Sequence, residues 1–248
     1  FSLDKDFLKA MDGADETNKE ILEYVANTSK DADILGSLID STGELFSKDQ
    51  NSAYKWSKIE KVLSNYKASL DEDVQELGIV AEGFLTSLEI LSKKMDLVIT
   101  NVPYLSQVKM NEKIKLFIDQ FYSDSKGDLA TVFIERLIKL LSNGGVLSLV
   151  SPQNWLFQPT YEKFRIKLLK GNTFDMFARL GPGAFETISG EVVKVVLHTI
   201  INERPSGDST FSALDVSDKK STLEKSSHIY SDNYFELNQL AQLKNPDS

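Results

Sequence analysis

The residues best suited to chemistry lie at one junction, Asn101-Val102-Pro103-Tyr104, where an apolar run over residues 96–100 ends. A short β-branched run followed by Asn-x-Pro-Tyr predicts a buried strand that leads into a stiff loop. The loop would present an amide and an aromatic ring at the carboxyl end of a strand, where open α/β sheets bind their ligands. An amide can hydrogen bond to an amino group and a flat ring can stack on a base, so the pair suits a flipped adenine. Taken alone, the tetrapeptide also fits an ordinary strand-ending turn.

The stretch over residues 96–105, Asp-Leu-Val-Ile-Thr-Asn-Val-Pro-Tyr-Leu, resembles the Asp-x-x-x-x-Asn-Pro-Pro-Tyr signature of adenine-specific DNA methyltransferases. Further segments, in the same order along the chain, are similar to the large PglX-type methyltransferases of BREX phage-defence systems. These segments are residues 31–39, 109–113, 123–126, 128–129, 133–136, 144–145 and 190–193. The resemblance covers residues 28–203 and is far more specific than the tetrapeptide alone.

The resemblance implies methyl transfer from S-adenosylmethionine to the exocyclic amine of a flipped adenine in DNA. It assigns the catalytic positions to Asn101, Val102, Pro103 and Tyr104, with the Asn101 side chain and the Val102 carbonyl holding the amine. Tyr104 and Phe185 would contact the flipped base, and stacking of this kind is worth about 1–3 kcal/mol per base. Judged from the residues alone, Phe185 fits a core or loop-anchoring role equally well. No general base is required, so catalysis would depend on positioning and electrostatics.

The chain departs from the family signature at Val102, where the family has proline. Valine keeps the backbone carbonyl that would accept a hydrogen bond from the amine. It loses the fixed φ of proline and adds an N–H group. We therefore expect a less preorganised loop, which weakens the case for catalysis more than the case for binding.

A glycine-rich cofactor loop normally precedes the signature in such enzymes, and none is found before Asp96. Gly181-Pro-Gly183 has a Gly-x-Gly spacing but comes too late in the chain, and a lone Gly-x-Gly is weak evidence. We therefore expect the chain to be a fragment of a longer protein that holds S-adenosylmethionine elsewhere. The cofactor-binding residues are unknown, and the chain alone should bind S-adenosylmethionine weakly and be inactive.

Composition restricts the kinds of site that the chain can form. With Cys 0 and His 2, disulfides and cysteine metal sites are excluded and a zinc site is disfavoured, so we expect no metal. The net charge of −9 argues against strong nucleic-acid binding, but residues 101–180 hold 11 Lys and Arg against 7 Asp and Glu. No apolar run approaches the length of a membrane span, so we expect a cytoplasmic protein without membrane contact.

The pattern of the chain changes near residue 96, which predicts an α/β fold preceded by a helical region. Residues 1–95 read as a helical region, with helices suggested around residues 21–45, 59–66 and 71–91. Residues 96–203 read as the target-base half of the methyltransferase domain, which is half of a Rossmann-like class I sheet. The predicted strands are 96–100, 146–150, 174–180 and 191–201, and the predicted helices are 111–122, 128–142 and 161–170. Residues 204–248 read as a linker toward a DNA-recognition domain, with one possible strand over residues 210–216.

Local signals add detail to this outline. Asp128 is predicted to cap the amino end of a helix, and Asn143-Gly144-Gly145 to end that helix in the left-handed conformation. The segment from Ser151 to Trp155 should lie at the functional edge of the sheet, with Trp155 used for packing.

Two functional classes remain open, with a third that only residues 3–95 support. The first is a fragment of an adenine-specific DNA methyltransferase, and the second is a non-catalytic component that binds DNA or phage-defence partners. The third is a plain helical interaction module. If half a sheet is present, the strand over residues 96–100 has an open edge, so self-association is also expected unless the preceding helices cover it.

Overall fold

The computed structural model describes residues 32–39, 61, 64–65, 67–68, 72–184, 193–230 and 234–245. The chain divides into two compact units, Phe1–Lys93 and Lys94–Ser248. Each unit is described separately below.

The described part of the first unit is helical. Helix α1 (Ala32–Leu35) continues into a 3-10 turn, and the long helix α2 spans Glu72–Ser92. Ala81, Leu85 and Leu88 are buried on α2, at the spacing of one helix face. The helix predicted over residues 71–91 is therefore confirmed. Of the prediction around residues 21–45, the structure describes residues 32–39, which include α1, and of the prediction around residues 59–66 it describes residues 61 and 64–65. The rest of both predictions lies outside the described residues.

The second unit contains a mixed six-stranded sheet, which confirms the α/β class. Its strands in sheet order run β1-β2-β4-β3-β5-β6. The strands are β1 (Met95–Asn101), β2 (Leu141–Pro152), β3 (Thr173–Gly181), β4 (Val195–Ile201), β5 (Thr210–Asp215) and β6 (Phe235–Asn238). β1 is parallel to β2, and β3 is parallel to β5. β4 lies between β2 and β3 and is antiparallel to both.

In the described part of this unit, four α-helices connect or flank the strands. They are α3 (Glu112–Phe121), α4 (Leu129–Leu140), α5 (Glu162–Gly171) and α6 (Thr222–Ile229). Side chains alternate between the two faces of the sheet along each strand. Leu147 and Leu149 of β2 therefore lie on the same face, and both are buried in the main core. Ala130 and Ile134 of α4 pack into the same core. A smaller core lies around Ala178 and Leu214.

The end of helix α4 differs from its prediction. The helix ends at Leu140 and the chain enters β2 at Leu141, so Gly144 is not its cap. Gly144 has a φ of 75° and lies where the β1–β2 register shifts, between the pairs Met95–Leu141 and Leu97–Val146. Leu140 and Leu141 are both buried, and pairing of Leu141 with β1 ends the helix before the glycines are reached.

The segment after residue 203 also differs from the linker that the sequence suggested. It forms strands β5 and β6, helix α6 and a 3-10 turn over Leu240–Lys244. The predicted strand over residues 210–216 is confirmed as β5. The segment is attached because Gln239 accepts a hydrogen bond from the Phe174 N–H at 2.8 Å and donates to the Leu169 and Asn172 carbonyls.

The described residues lack two features, a membrane-spanning helix and a metal-binding cluster. No helix in this part of the chain is both long and apolar enough to cross a membrane. Across the same residues, no cluster of three or more His, Asp or Glu side chains is placed to hold a metal ion.

Candidate active site

Asn101 is the last residue of β1 and pairs in parallel with Val150 of β2. Because the two strands run in the same direction, their carboxyl ends meet at one edge of the sheet. The loop that carries Val102, Pro103 and Tyr104 leaves from this edge. The structure thus places the predicted site residues where open α/β sheets bind their ligands.

The Asn101 amide and the Tyr104 ring are joined directly by a hydrogen bond. The Tyr104 hydroxyl donates to Asn101 Oδ1 over 3.1 Å. Burial raises the pKa of Tyr104 to about 12, and the nearby charge of Asp128 adds to the increase. The hydroxyl is therefore protonated at neutral pH and remains a donor. This bond fixes which side of the amide presents its oxygen toward Tyr104.

Val102, the departure from the family signature, is buried in the main core with 5% of its surface exposed. Pro103 is exposed and Tyr104 is partly buried against the same core. The sequence suggested that valine would leave the loop less preorganised than proline. Packing of the Val102 side chain supplies a restraint of a different kind, since a buried side chain fixes the backbone that carries it.

Asp128 connects the loop to helix α4. Its Oδ1 accepts the N–H of Ala130 over 2.9 Å, which confirms the predicted helix cap, and also the N–H of Leu105 over 3.4 Å. Two backbone bonds reinforce the connection, from the Leu129 N–H to the Leu105 carbonyl at 2.9 Å and from the Gln107 N–H to the Gly127 carbonyl at 3.0 Å. Burial raises the pKa of Asp128, and the two N–H donors partly offset that increase.

A second polar group lies beside the end of β2. The Trp155 Nε1–H donates to Ser151 Oγ over 3.1 Å, and Ser151 Oγ hydrogen bonds to His198 Nε2 over 3.0 Å. Burial lowers the pKa of His198 to about 3, so the imidazole is neutral. The ring of Phe177 stacks on the imidazole with centroids 5.4 Å apart. Trp155 is 2% exposed, so the prediction that it serves packing is confirmed.

Phe185, the second predicted contact to the flipped base, lies outside the described residues. The residues that flank its segment are described: Gly181 pairs with Val195, and Val195 pairs with Pro152. This places both flanks at the same edge of the sheet as Asn101. The contact between Phe185 and a base remains a prediction.

Asn101 is exposed and Tyr104 is partly buried at this edge of the sheet. A cavity of about 480 Å³ lies among α5, β3, β5 and β6, and its lining does not include either residue. Arg179 at its mouth pairs with Asp215 over 2.7 Å and covers the ring of Phe157. A base bound by Asn101 and Tyr104 would therefore need other surfaces to enclose it.

The model of one protein family matches residues 9–183, and its description is Eco57I restriction-modification methylase. This match covers well over half of the chain and includes β1, the Asn101 loop and α4. The chain belongs to the Eco57I restriction-modification methylase family. The residues matched by the family model include Asn101 and Tyr104.

Relatives with curated names agree with this methylase family. The adenine-specific methyltransferase BrxX of Escherichia coli O9:H4 (strain HS) is 35% identical over 139 residues, which is 55% of this chain and 12% of BrxX. The adenine-specific methyltransferase PglX of Lacticaseibacillus casei (strain Zhang) is 32% identical over 117 residues, which is 47% of this chain and 10% of PglX. The resemblance to PglX-type methyltransferases is thus confirmed, and the chain spans about a tenth of the length of these relatives.

Solved structures of restriction-modification proteins are also similar to the methylase chain. A chain from a type I restriction-modification system aligns with a TM-score of 0.49 and 17% identity, covering 63% of this chain and 39% of that one. The Type ISP enzyme LlaGI, solved with a DNA substrate mimic, aligns with a TM-score of 0.48 and 16% identity, covering 73% and 17%.

The described residues do not form a recognisable cradle for S-adenosylmethionine. Gly181 has a φ of 64°, but a Cβ at Gly181 would lie 2.5 Å from the Ser217 Cβ. The glycine is therefore used for close packing between two segments of the chain. No residue of the described part of the chain is therefore assigned to the cofactor.

The sequence did not indicate the role of His198 or the contact of Asp128 with the loop. His198 lies within a β-branched strand and has no motif around it, so its partner Ser151 could be found only from the pairing of β2 with β4. Asp128 was predicted as a helix cap, and its second bond, to the loop, depends on tertiary structure. The one available signal for Asp128 was its place in a segment that matches the family.

Proposed function

We propose that this chain carries the target-base part of an adenine-specific DNA methyltransferase. The observation that supports the proposal best is the 3.1 Å hydrogen bond between Tyr104 and Asn101 at the carboxyl end of a parallel strand, in a chain of the Eco57I methylase family. An amide and a ring so placed can hold the amine of a flipped adenine and stack on its face. The methyl donor would be S-adenosylmethionine, held by residues other than the described ones.

The chemistry that these residues perform is positioning. Asn101 Oδ1 and the Val102 carbonyl would accept hydrogen bonds from the two amine hydrogens, which directs the nitrogen lone pair toward the methyl carbon. S-adenosylmethionine, when bound, would supply an electrophilic methyl group whose bond to sulfur breaks as the bond to nitrogen forms. The two acceptors would stabilise the positive charge that develops on the amine nitrogen. Solvent then takes the surplus proton, so no side chain has to act as a general base.

Substitution of Asn101 tests the proposal. In the full-length protein, Asn101→Ala should lower formation of N6-methyladenine by at least about 100-fold, because an oriented acceptor is lost. DNA affinity should change by less than about threefold, since most affinity comes from phosphate contacts. Mass spectrometry of digested DNA measures the product, and fluorescence anisotropy measures binding.

Asn143→Ala is a matched control, since Asn143 is an exposed asparagine at the opposite end of β2. It should leave both methylation and binding unchanged. Wild-type activity in Asn101→Ala, or equal losses in the two variants, would refute the assignment of Asn101.

A second candidate function is a non-catalytic component that binds DNA or phage-defence partners. Val102 favours this alternative, since the family has proline at that position. Val102→Pro discriminates between the two functions. The preceding Asn101 is extended within β1, a conformation that proline tolerates in the residue before it.

If the protein is a methyltransferase, Val102→Pro should maintain or raise its rate of methyl transfer, because proline stiffens the loop. If neither the wild type nor Val102→Pro methylates adenine while both bind DNA, the binding component is the correct function. Leu105→Ala, which changes a loop residue without adding a ring, controls for a general effect of mutation.

The proposal extends to partners and place of action. DNA is the proposed substrate, with residues 96–203 as the target-base region, and further phosphate contacts would come from elsewhere in the protein. An enzyme with this substrate would act in the cytoplasm of a bacterial cell. Other phage-defence proteins are possible additional partners.

A further inference from the structure

The Asp128 carboxylate contacts both the loop that carries the candidate site residues and helix α4 behind it. A single oxygen, Oδ1, accepts the N–H of Leu105 and the N–H of Ala130. Leu105 directly follows Tyr104, so the bond acts on the backbone of the loop itself. The loop also pairs with the segment that carries Asp128, through an isolated antiparallel bridge between Ser106 and Asp128.

The segment behind Asp128 is itself rigid. A Cβ at Gly127 would lie 2.5 Å from the Tyr161 hydroxyl, so the backbone here is pressed against the Tyr161 ring. Tyr161 is 5% exposed and belongs to the main core. The Thr131 hydroxyl donates to the Asp128 carbonyl over 2.7 Å. The carboxylate therefore extends from a fixed backbone, which is what a positioning residue requires.

We propose that Asp128 is the positioning residue of the Asn101–Tyr104 site, holding the loop through its bond to the Leu105 N–H. Asp128 touches neither the base nor the methyl group, and acts through Tyr104 and Asn101. This role rests on the proposed function. The hydrogen bond that it requires, between Asp128 and the Leu105 N–H, lies within this chain and needs neither DNA nor cofactor. Helix capping and loop positioning are separate tasks of the same oxygen, and they can be separated by substitution.

Three substitutions separate the two tasks. Asp128→Asn keeps an oxygen in the same place and should support both bonds. Asp128→Ser can cap helix α4, but its oxygen lies one bond closer to the backbone and cannot reach Leu105. Asp128→Ala supports neither bond. Ser221→Ala removes a cap from the remote helix α6 and controls for loss of a cap in general.

Hydrogen exchange followed by mass spectrometry reads the position of the loop without substrate or cofactor. In the full-length protein, peptides covering residues 103–110 should exchange at the wild-type rate in Asp128→Asn. In Asp128→Ser they should exchange at least about tenfold faster, because the Leu105 and Gln107 amides lose protection. Ser221→Ala should leave these peptides unchanged. Equal exchange in Asp128→Ser and Asp128→Asn would overturn the inference.

Steady-state kinetics on adenine-containing DNA then test the catalytic consequence. Asp128→Ser should lower kcat about 10- to 100-fold with little change in KM, since misplacement of a reacting group mainly raises the barrier. Asp128→Asn should recover most of this loss. If the loop exchanges faster in Asp128→Ser while kcat is unchanged, the positioning role is wrong and the proposed function is unaffected. If the wild-type protein fails to methylate adenine, the proposed function fails, while the exchange experiment still reports on the contact.

Discussion

At the scale of single residues, the site of this methylase depends on how the Tyr104 ring and hydroxyl divide their tasks. In the proposed function the ring stacks on the base, while in the structure the hydroxyl donates to Asn101 Oδ1. An amide oxygen has two lone pairs, so Asn101 Oδ1 can accept from the Tyr104 hydroxyl and from an incoming amine at the same time. Loss of the ring should therefore weaken binding of the base, whereas loss of the hydroxyl should lower kcat.

Two substitutions of Tyr104 separate these tasks. Tyr104→Ala should weaken binding of the extruded base by about 1–3 kcal/mol, because stacking is lost. Tyr104→Phe keeps the ring and should leave base binding close to wild type, while kcat falls because the amide is less well oriented. Fluorescence of 2-aminopurine at the target position measures extrusion, and single-turnover kinetics measure transfer. A fall in base binding as large in Tyr104→Phe as in Tyr104→Ala would contradict the division of tasks.

At the scale of secondary-structure elements, the sequence predicted most of the second unit. The hydrophobic runs at residues 146–150 and 174–180 lie within β2 and β3, and Asp128 caps α4 as expected. These elements were predictable because their signals are local, namely β-branched runs and a capping side chain. The Asn101 loop was placed correctly because a strand followed by Asn-x-Pro-Tyr carries its own signal.

The remaining features depend on tertiary contacts that a local pattern does not contain. Leu141 pairs with Met95, forty-six residues away in sequence, and this pairing ends α4 before its glycines. Gln239 binds the backbone of residues 169–174, which joins a polar segment to the sheet. The Asp128–Leu105 bond belongs to the same class, since it joins two segments that each look complete alone.

The contact between β2 and β4 through His198 gives a prediction for the effect of pH. Burial lowers the pKa of His198 to about 3, whereas an unfolded histidine titrates near 6.5. Between these values only the unfolded chain takes up the proton, so stability should decrease as the pH falls below 6.5. The slope should reach at most about 1.4 kcal/mol per pH unit for one proton.

His198→Gln provides the comparison for this prediction. Glutamine can still bond to Ser151 but does not titrate, so the difference in slope between the two proteins isolates the imidazole. Asp128 has a raised pKa and acts in the opposite direction, equally in both proteins. Urea unfolding at several pH values between 4 and 7 measures the slope. Identical slopes would show that His198 is not held neutral in the folded protein.

At the scale of the whole molecule, β1 lies at an edge of the sheet and has one partner strand, β2, in the described part of the chain. Leu97 and Ile99 of this strand are 58% and 74% exposed. An exposed apolar edge is a template for pairing with another chain. We therefore expect the 248-residue chain to self-associate at high concentration.

Ile99→Lys should reduce this association, because a charge on an exposed edge position disfavours strand pairing. Its side chain points away from the main core, so the melting temperature should change little. Sedimentation velocity over a range of concentrations measures the effect. Lys substitution at Thr210, an exposed position on the interior strand β5, is the control for added charge. A wild-type chain that remains monomeric with Leu97 and Ile99 exposed would contradict the expectation.

The position of β4 between β2 and β3 has a consequence for folding during synthesis on the ribosome. β2 and β3 are synthesised before β4, yet neither pairs with the other, and both wait for residues 195–201. A nascent chain that ends at Gly181 thus contains β2 and β3 but lacks β4, the strand that pairs with both. Any pause in translation before Val195 prolongs that state, and incomplete sheets are prone to misassembly. Codon choice between residues 181 and 201 should therefore influence the yield of folded protein more than codon choice after β4 is complete.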